Sequence, residues 1–404
     1  MTALHPFAAP MRPLRISAYT ATSAVGTGKA ALVEALATRR SGLRRNDFGS
    51  TPLDTWIGRV GDLEAAALPA SLASWECRNN RLAWLALQAD GFLDTVQEAR
   101  ERHGADRVAV VMGTSTSSMG QTEDAYAALD ERGLFPAHTR EPKVHTPHSI
   151  GAFVQEALGL TGPAVTVATA CSSSAKVFAQ AERLLRLGLV DAAVVGGVDT
   201  LCGSILFGFN ALSLVSTQPC RPFDVARNGL SLGEAGGFAL LERGSGGLQL
   251  WGYGESSDAH HMSTPHPEGL GAERALDEAL ARAAVPMEEI DYLNLHGTAS
   301  QKNDEVEAAL VARKYSPHTH ASSTKGWAGH TLGAAGILEA VISLWAVESG
   351  WMPGTLNTED LDPLCGPQIR RQDAQTRVRC AVSHSFGFGG NNCVLIFGQG
   401  RAVS

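Results

Sequence analysis

Apolar stretches of the β type alternate with segments of helical spacing along most of the chain. Their continuous apolar character is typical of strands that helices cover on both faces. Helical spacing is clearest at 176–187 and 332–347, where Ile337 and Leu344 recur on one face. The pattern therefore predicts an α/β protein with a first strand near Leu14. The other predicted strands are Val108–Met112, Val165–Thr169, Ala192–Val195, Phe238–Leu241, Tyr292–Leu295, Cys380–Ser385 and Val394–Phe397.

Two long segments, 114–150 and 200–230, show no clear periodicity and are rich in Thr, Ser, Pro and His. We therefore expect loops there. Loops of this length inside a compact domain are usually functional.

The two halves of the chain show a short internal likeness. "VVMGTSTS" at 110–117 and "LNLHGTAS" at 293–300 each end an apolar run with a glycine and small polar residues. The matches alone leave an internal duplication and a chance likeness equally open. The sequence "RGSGG" near residue 245 has the composition of a linker between such halves. The expected division is a loose extension at 1–12, a first half at 13–246 and a second half at 247–404.

Composition and charge exclude several classes of protein. The 404 residues are 44% apolar and 18% charged, as in a globular protein with a large core. A net charge of −8 argues against a nucleic-acid partner, because phosphate binding needs clustered Lys and Arg. The seven cysteines are scattered without a CxxC pair, which favours reduced thiols in a cytoplasmic protein. We expect no membrane insertion and no secretory signal.

No metal or nucleotide site is predicted. The paired histidines of the chain, for example His145 with His148 and His260 with His261, have no partner carboxylate or cysteine at a usual metal-ligand spacing. The chain also has no GxxxxGK[ST] phosphate loop.

Cys171 lies in "VTVATACSSSAKV", between a predicted strand and a predicted helix. A sharp turn there would lift the side chain out of the sheet, and the start of a helix favours thiolate over thiol. The alternative is a small apolar cysteine that fills a gap in the core. Three serines follow it directly, and buried hydroxyls would need partners, which makes a core position less attractive.

Two later turns carry further candidate groups. His296 ends the predicted strand in "YLNLHGTAS", and Lys325 and His330 precede a helix in "STKGWAGHTLGAAGILEA", with Glu339 further along it. Taken alone, His296 is better interpreted as a hydrogen-bonded structural group at the end of a strand. The small residues around 333–336 are also what close helix packing requires.

A glycine-rich loop, "SHSFGFGGNN", joins the last two predicted strands and carries Phe386 and Phe388. A plain turn needs fewer glycines and no aromatic residue. A mobile loop with exposed N–H groups is suited to an oxyanion site and a gate.

In combination these motifs resemble the β-ketoacyl-acyl carrier protein synthases of the elongating type, and the likeness extends from about Leu14 to Phe397. It is carried by "TACSSSAKV", "CRPFDVARNGLSLGEAGGFALLE", "HGTAS" with "ND", "STKGWAGHTLGAAGILEA" and "SFGFGGNN", in the order of that family. The resemblance implies the thiolase-like fold, a five-layer αβαβα stack of two duplicated βαβαβαββ halves, which is normally dimeric.

The chain departs from the usual family pattern beside these motifs. The family usually has Gly or Ser in place of Ala299, Thr in place of Ser300, Asn in place of His384, Thr in place of Asn391 and Met in place of Trp327. These differences bear on substrate preference more than on the chemistry.

The resemblance implies an acyltransferase that performs a decarboxylative condensation. Cys171 would hold an acyl group as a thioester, and His296 and His330 would stabilise the enolate of malonyl-carrier protein through neutral N–H groups. The backbone N–H groups of Cys171 and Phe388 would bind the oxyanion, with Phe388 acting as a gate. Lys325 paired with Glu339 would organise the electrostatics of the site. No metal or diffusible cofactor is needed, because the acyl carrier protein brings its own phosphopantetheine.

Further residues have expected roles in binding. Thr298 and Ser300 match positions that contact the pantetheine arm, and Thr116 is a candidate determinant of chain length in a segment that lines the acyl tunnel and the dimer contact. The glycine loop adds Phe386, Gly389 and Gly390 to the expected substrate contacts. For docking of the carrier protein the candidates are Arg78, Arg81 and Arg221, although ordinary solvated arginines are as good an interpretation of each.

Rival assignments are less consistent with the motifs. A thiolase would carry a second cysteine in the glycine loop, and an initiating synthase would use Asn where His330 stands. A chain-length factor would lack Cys171. The pathway stays open between fatty acid synthesis and a specialised polyene or polyketide system, and so does the choice between a homodimer and a heterodimer with a homologous ketosynthase-like subunit.

Overall fold

The computed structural model describes residues 9–140 and 142–400. Its main sheet contains ten strands along one path, and Gly26–Thr27 adds a short edge to the first of them. The ten strands are β1 Leu14–Ser23, β2 Val108–Gly113, β3 Ala164–Val167, β4 Ala192–Asp199, β5 Ala235–Arg243, β6 Leu248–Ser257, β7 Tyr292–Asn294, β8 His320–Ser322, β9 Cys380–Gly387 and β10 Asn391–Gln399.

The strand order repeats between the two halves of the sheet. The first half runs β3-β2-β4-β5-β1 and the second runs β8-β7-β9-β10-β6, so each strand corresponds to the one five places later. The directions also match: the first three strands of each list are parallel, and the remaining pairings are antiparallel. The duplication suggested by the short sequence matches is therefore confirmed.

The two halves meet where β1 pairs with β6, at Leu14 with Leu250 and Arg15 with Gln249. The expected boundary between 246 and 247 lies in the connection from β5 to β6. Of the expected N-terminal extension, residues 1–8 lie outside the described residues. Residues 9–13 carry no helix or strand, and the N–H of Met11 donates to the carbonyl of Arg282 at 2.9 Å.

Helices form layers on both faces of this sheet and between its two halves. Phe178 and Ile337 belong to a central apolar cluster, Phe92 and Phe153 to one outer cluster, and Leu276 with its neighbours to the other. The helices are α1 Gly28–Ala37, α2 Arg78–Leu87, α3 Phe92–His103, α4 Met119–Ala127, α5 Ser149–Ala157, α6 Ser173–Arg186, α7 Gly203–Ala211, α8 Leu270–Ala283, α9 Gln301–Lys314, α10 Lys325–Ala328 and α11 Ala335–Ser349.

The central layer contains the two equivalent helices α6 and α11, which the helical spacing predicted. They approach closely, since a Cβ on Gly336 would lie 2.5 Å from the backbone N of Ala175. The Ser174 hydroxyl accepts the N–H of Ile337 at 2.9 Å across the same contact. The small residues around 333–336 thus do serve helix packing.

The expectation of loops at 114–150 and 200–230 was partly wrong. The first segment contains α4 and the start of α5, and the second contains α7. Each of these two helices buries only one residue, Ala125 in α4 and Leu206 in α7. A helix with so little buried surface shows no clear apolar stripe, which is why its periodicity is weak in the sequence.

Within residues 9–140 and 142–400, one helical segment, Leu332–Ser349, is long and apolar enough to cross a membrane, with a mean hydropathy of 1.4. However, 83% of it is buried inside the fold. This burial is what a core helix between the two halves of the sheet requires, so the segment is weak evidence for a membrane span.

Close packing between β6 and α8 depends on Gly254. An added Cβ there would lie 1.8 Å from the carbonyl oxygen of Ala275, so Gly254→Ala must push α8 away from the sheet. Overpacking of this kind costs about 1–3 kcal/mol, and we expect a lower free energy of unfolding in denaturant titrations. Gly61→Ala is the matched control, because its Cβ would meet nothing within 4 Å. Equal stability of the two variants would contradict the prediction.

Candidate active site

Cys171 lies in a tight turn, Ala170–Ser172, directly before α6. Ala170 has a φ of +52°, a left-handed conformation that a non-glycine residue adopts only under constraint. The adjacent serines supply that constraint: Ser172 donates to the Thr169 carbonyl at 2.9 Å, and Ser173 donates to the Ala170 carbonyl at 2.6 Å. The serines therefore have partners, and the turn presents Cys171 as a nucleophile elbow would.

The Cys171 thiol contacts His330 directly, with Sγ 2.9 Å from Nε2. Burial raises the pKa of Cys171 to about 12, although the charge of Lys325 and the Phe388 N–H act in the opposite direction. Burial also lowers the pKa of His330 well below 6.5. A helix start was expected to favour the thiolate, but these shifts make a neutral thiol beside a neutral imidazole the resting pair. The proton must move during attack.

His296 is held by its backbone at the end of β7. Its N–H donates to Glu307 Oε1 at 2.8 Å, and the next N–H, of Gly297, donates to Glu307 Oε2 at 2.7 Å. The carbonyl of His296 accepts a hydrogen bond from Lys325 Nζ. Gly297 has a φ of +36°, and a Cβ there would lie 2.5 Å from the Ser323 Cβ, so the turn requires glycine.

The two histidine rings face one another edge to face, with centroids 5.4 Å apart. Burial lowers the pKa of His296 well below 6.5, and the charge of Lys325 lowers it further. Within the described part of the chain, Nδ1 of each ring is buried without a hydrogen-bond partner. Two neutral imidazoles therefore flank one thiol.

Lys325 and Glu339 form a buried ion pair behind the histidines, with side chains 3% and 2% exposed. Burial raises the pKa of Glu339 to about 7 despite the adjacent ammonium. Neither side chain belongs to the cavity lining, so the pair acts on the site through its charges and through the Lys325 bond to His296.

A cavity of about 430 Å³ opens onto Cys171, His296 and His330. Phe386 and Phe388 of the glycine loop form part of its wall. The other predicted substrate contacts in its lining are Thr298, Ser300 and Gly390.

The glycine loop closes over the thiol between β9 and β10. The Phe388 N–H donates towards Cys171, and the Phe388 ring stacks on Phe209 of α7 with centroids 5.4 Å apart. The loop is also tied to a neighbouring segment: Gly389 donates to the Met262 carbonyl at 2.7 Å, and the Asp258 N–H donates to the Gly390 carbonyl at 2.9 Å. The loop is thus held over the thiol by a backbone N–H donor, a ring stack and two backbone hydrogen bonds.

Thr116 lies outside the cavity lining. It is 6% exposed, and its hydroxyl and N–H both donate to Asp199, at 2.7 and 2.8 Å. Its hydroxyl is therefore engaged in fixing the loop after β2, and a role in chain length stays a prediction.

The three arginines proposed for docking differ in how free their charges are. Arg78 forms a two-point ion pair with Glu234 and a further one with Glu64. Arg81 pairs with Glu76, while Arg221 donates to the neutral Gln218 side chain. Arg221 is thus the best placed to attract an acidic partner, and docking stays a prediction for all three.

Sequence reasoning missed the carboxylates and aromatic residues that support the site. Glu307, Asp258 and Phe209 hold His296, the glycine loop and Phe388 respectively. Glu307 lies eleven residues after His296 on α9, a position that could have been proposed as the partner of the strand-end turn. No comparable signal marks Phe209, which lies in one of the segments without periodicity.

The lowered pKa values of both histidines predict a flat pH response of the chemical step. A group whose pKa is lowered stays neutral above that value, so both rings remain neutral between pH 8 and pH 6. We expect the single-turnover rate of the acylated enzyme to vary by no more than about twofold from this cause. The control is the double variant Glu339→Gln/Asp304→Asn, because burial raises the pKa of both carboxyl groups to about 7. An acid limb that persists in the double variant would contradict the prediction.

Comparison with known proteins agrees with this geometry. The family description "Beta-ketoacyl synthase, N-terminal domain" matches residues 78–246, and "Beta-ketoacyl synthase, C-terminal domain" matches 249–359. A mitochondrial 3-oxoacyl-[acyl-carrier-protein] synthase of Arabidopsis thaliana is 34% identical over 77% of this chain and 72% of its own. A 3-oxoacyl-[acyl-carrier-protein] synthase 2 of Staphylococcus aureus is 31% identical over 72% of this chain and 77% of its own.

Among solved structures, a ketosynthase in complex with its chain length factor from Xenorhabdus doucetiae superposes with a TM-score of 0.87. It is 36% identical and covers 98% of this chain and 99% of its own. A duplicated sheet of this order, with a thiol at a helix start beside two imidazoles, defines a thiolase-fold acyltransferase. Within that class, the chain belongs to the β-ketoacyl synthase family, the elongating condensing enzymes.

Proposed function

We propose that this chain joins an acyl group on Cys171 to malonyl-carrier protein by decarboxylative Claisen condensation. The observation that carries the proposal is the 2.9 Å contact between Cys171 Sγ and His330 Nε2, beside a second neutral imidazole in one cavity.

Loading is a thiol exchange. Sγ attacks the thioester carbonyl of an acyl-carrier protein while its proton passes to Nε2 of His330. The N–H groups of Cys171 and Phe388 hold the oxyanion; loss of one such donor typically costs ~10²–10³ in rate. The carrier sulfur leaves and takes up that proton, so the products are the acyl-Cys171 thioester and a free carrier thiol.

Extension uses the same cavity. Malonyl-carrier protein loses CO₂, and the electron pair of the broken C–C bond forms an enolate. Its oxygen accepts N–H hydrogen bonds from His296 and His330, whose lowered pKa values keep both rings neutral. His330 must change tautomer between the two steps, from the Nδ1–H form that accepts the thiol proton to the Nε2–H form that donates to the enolate. The enolate carbon attacks the acyl thioester, and the Cys171 sulfur leaves as a thiolate that takes up one proton from solvent. The product is a 3-oxoacyl-carrier protein longer by two carbons.

Lys325 and Glu339 take no proton in this scheme. The ammonium fixes the His296 carbonyl and keeps both imidazoles neutral by its charge. The scheme requires neither a metal nor a diffusible cofactor, since the carrier arm delivers both substrates. Thr298 and Ser300, which share a 2.9 Å hydrogen bond at the cavity wall, are the proposed contacts for that arm.

The proposed partners are an acyl carrier protein and a second ketosynthase-like subunit. The Xenorhabdus ketosynthase, at 36% identity over nearly its whole length, is bound to a chain length factor. This likeness supports a heterodimer for a specialised polyene or polyketide, with a homodimer for fatty acid synthesis as the alternative. All seven cysteines are free, as a reducing cytoplasm would keep them.

Mass spectrometry of the intact protein tests the function. Incubation with acyl-carrier proteins from short to long chains should add one acyl mass to the enzyme. Later addition of malonyl-carrier protein should remove that mass and yield the 3-oxoacyl product with one CO₂. An enzyme that gains no acyl mass from any carrier, or that keeps it when malonyl-carrier protein arrives, would refute the proposal.

A further inference from the structure

A fully buried histidine outside the cavity lining, His384 on β9, touches the group that holds His296. Its Nδ1 lies 3.0 Å from Glu307 Oε1, and its Nε2 lies 2.7 Å from the Tyr315 hydroxyl. His384 is 0% exposed, Glu307 1% and Tyr315 4%. A polar chain this deeply buried is costly unless each member is paired, and here each member is.

The direction of each hydrogen bond among Glu307, His384 and Tyr315 follows from the two outer residues. Glu307 accepts two backbone N–H groups and therefore acts as a carboxylate acceptor, so Nδ1 of His384 must carry the proton. Nε2 is then the acceptor for the Tyr315 O–H. Burial, with the Glu307 charge beside it, raises the pKa of Tyr315 well above 10, so that hydroxyl keeps its proton.

Glu307 is the group that fixes the backbone of the His296 turn from one side. The anionic carboxylate takes the N–H groups of His296 and Gly297, while the cationic Lys325 takes the His296 carbonyl. The imidazole of His296 has no fixed ring partner on Nδ1 within the described residues. Its direction therefore depends on the backbone clamp.

His384 also contacts Phe386, in the aromatic wall of the cavity. Its ring packs on Phe386 with centroids 4.9 Å apart, and Phe386 packs on His296 with centroids 5.9 Å apart. Phe386 is two residues further along the same strand and leads into the glycine loop. One imidazole thus contacts both the carboxylate and the aromatic wall that locate His296.

We propose that His384 is a positioning residue for the enolate-stabilising His296, with Tyr315 fixing the tautomer in which His384 donates to Glu307. This inference rests on the proposed function. It assigns His384 to the extension half-reaction, because loading uses Sγ, His330 and the Phe388 N–H, none of which contacts His384 in the described structure.

Two rates separate the roles: acyl loading of the free enzyme, and single-turnover extension of the acylated enzyme. His384→Leu should reduce extension by about 10²-fold, since a misplacement of about 1 Å can cost that much, and should leave loading within about threefold. His384→Asn should restore extension to within about threefold of wild type, because its amide N–H can replace Nδ1–H towards Glu307.

His320→Leu is the matched control. His320 is another buried histidine of the same half, 6% exposed, and its Nε2 lies 2.9 Å from the Pro353 carbonyl, away from Glu307. It should lower stability without changing either rate on the folded protein. Tyr315→Phe, which loses only one oxygen, should slow extension about fivefold and spare loading. This variant keeps the test valid if His384→Leu does not fold.

The possible results of these experiments either support the inference, overturn it, or refute the proposed function. A selective loss of extension in His384→Leu with recovery in His384→Asn supports the inference. Wild-type extension in His384→Leu or in Tyr315→Phe, or equal losses of loading and extension, overturns it. A wild-type enzyme that neither loads nor extends refutes the proposed function itself, which is a different failure from normal wild-type activity with an unaffected variant.

Discussion

Replacing Cys171 with alanine is expected to abolish acyl loading and to reduce condensation by about 10⁴-fold or more. The thiol is the atom that forms the thioester, and the serines around it are tied to backbone carbonyls or to the neighbouring helix. No adjacent hydroxyl is therefore free to replace it among the described residues. Intact-protein mass spectrometry after incubation with an acyl-carrier protein measures the effect.

The same variant should still release CO₂ from malonyl-carrier protein. His296 and His330 remain in place, and they are the groups assigned to the enolate. Cys171→Ala would then produce acetyl-carrier protein instead of a 3-oxoacyl product. Cys365→Ala is the control, because Cys365 is the one cysteine among the seven that is not fully buried, and it lies outside the cavity lining. Acyl mass on Cys171→Ala, or its absence on Cys365→Ala, would contradict the assignment.

The fold was largely predictable because its strands are buried on both faces. β2 and β4 are buried along their whole length, and such strands read as continuous apolar runs. The short edge strand β3 is only half buried, yet its sequence "AVTV" still carries the β-branched pattern. Helices α4 and α7 escaped prediction because little of their surface is buried, so no apolar stripe marks them.

The reactive side chains could also be predicted from the sequence, whereas the residues that hold them in position could not. Cys171, His296 and His330 lie near the ends of strands or the starts of helices, and glycine and small polar residues mark such turns in the sequence. Glu307 and Tyr315 lie on α9 and directly after it, where a carboxylate and a tyrosine look like ordinary helical residues. Only the topology, which sets β7 beside β9, brings His384 to them.

The thiolate expectation failed for a physical reason. The start of α6 does favour negative charge, but Cys171 is 5% exposed, and burial raises its pKa to about 12 against the Lys325 charge and the Phe388 N–H. A protected neutral thiol next to a neutral base suits an enzyme whose thiol must wait for its carrier. The helix end is then useful during attack, when charge develops on the sulfur and on the oxyanion.

Exchanging the two histidines for alanine should give two different results. His296→Ala should reduce extension by roughly 10²–10⁴-fold while loading stays within a few-fold of wild type, because no His296 ring atom contacts Sγ among the described hydrogen bonds. His330→Ala should slow both half-reactions, since Nε2 of His330 is the group at 2.9 Å from Sγ that takes the thiol proton.

Rapid-quench measurement of loading and of single-turnover extension distinguishes the two variants, and each serves as the control for the other. The ratio of loading to extension should rise in His296→Ala and stay near the wild-type ratio in His330→Ala. If both variants lost loading equally, His296 would have to act on the thiol through some rearrangement. The division of roles between an imidazole at the sulfur and an imidazole at the enolate would then be wrong.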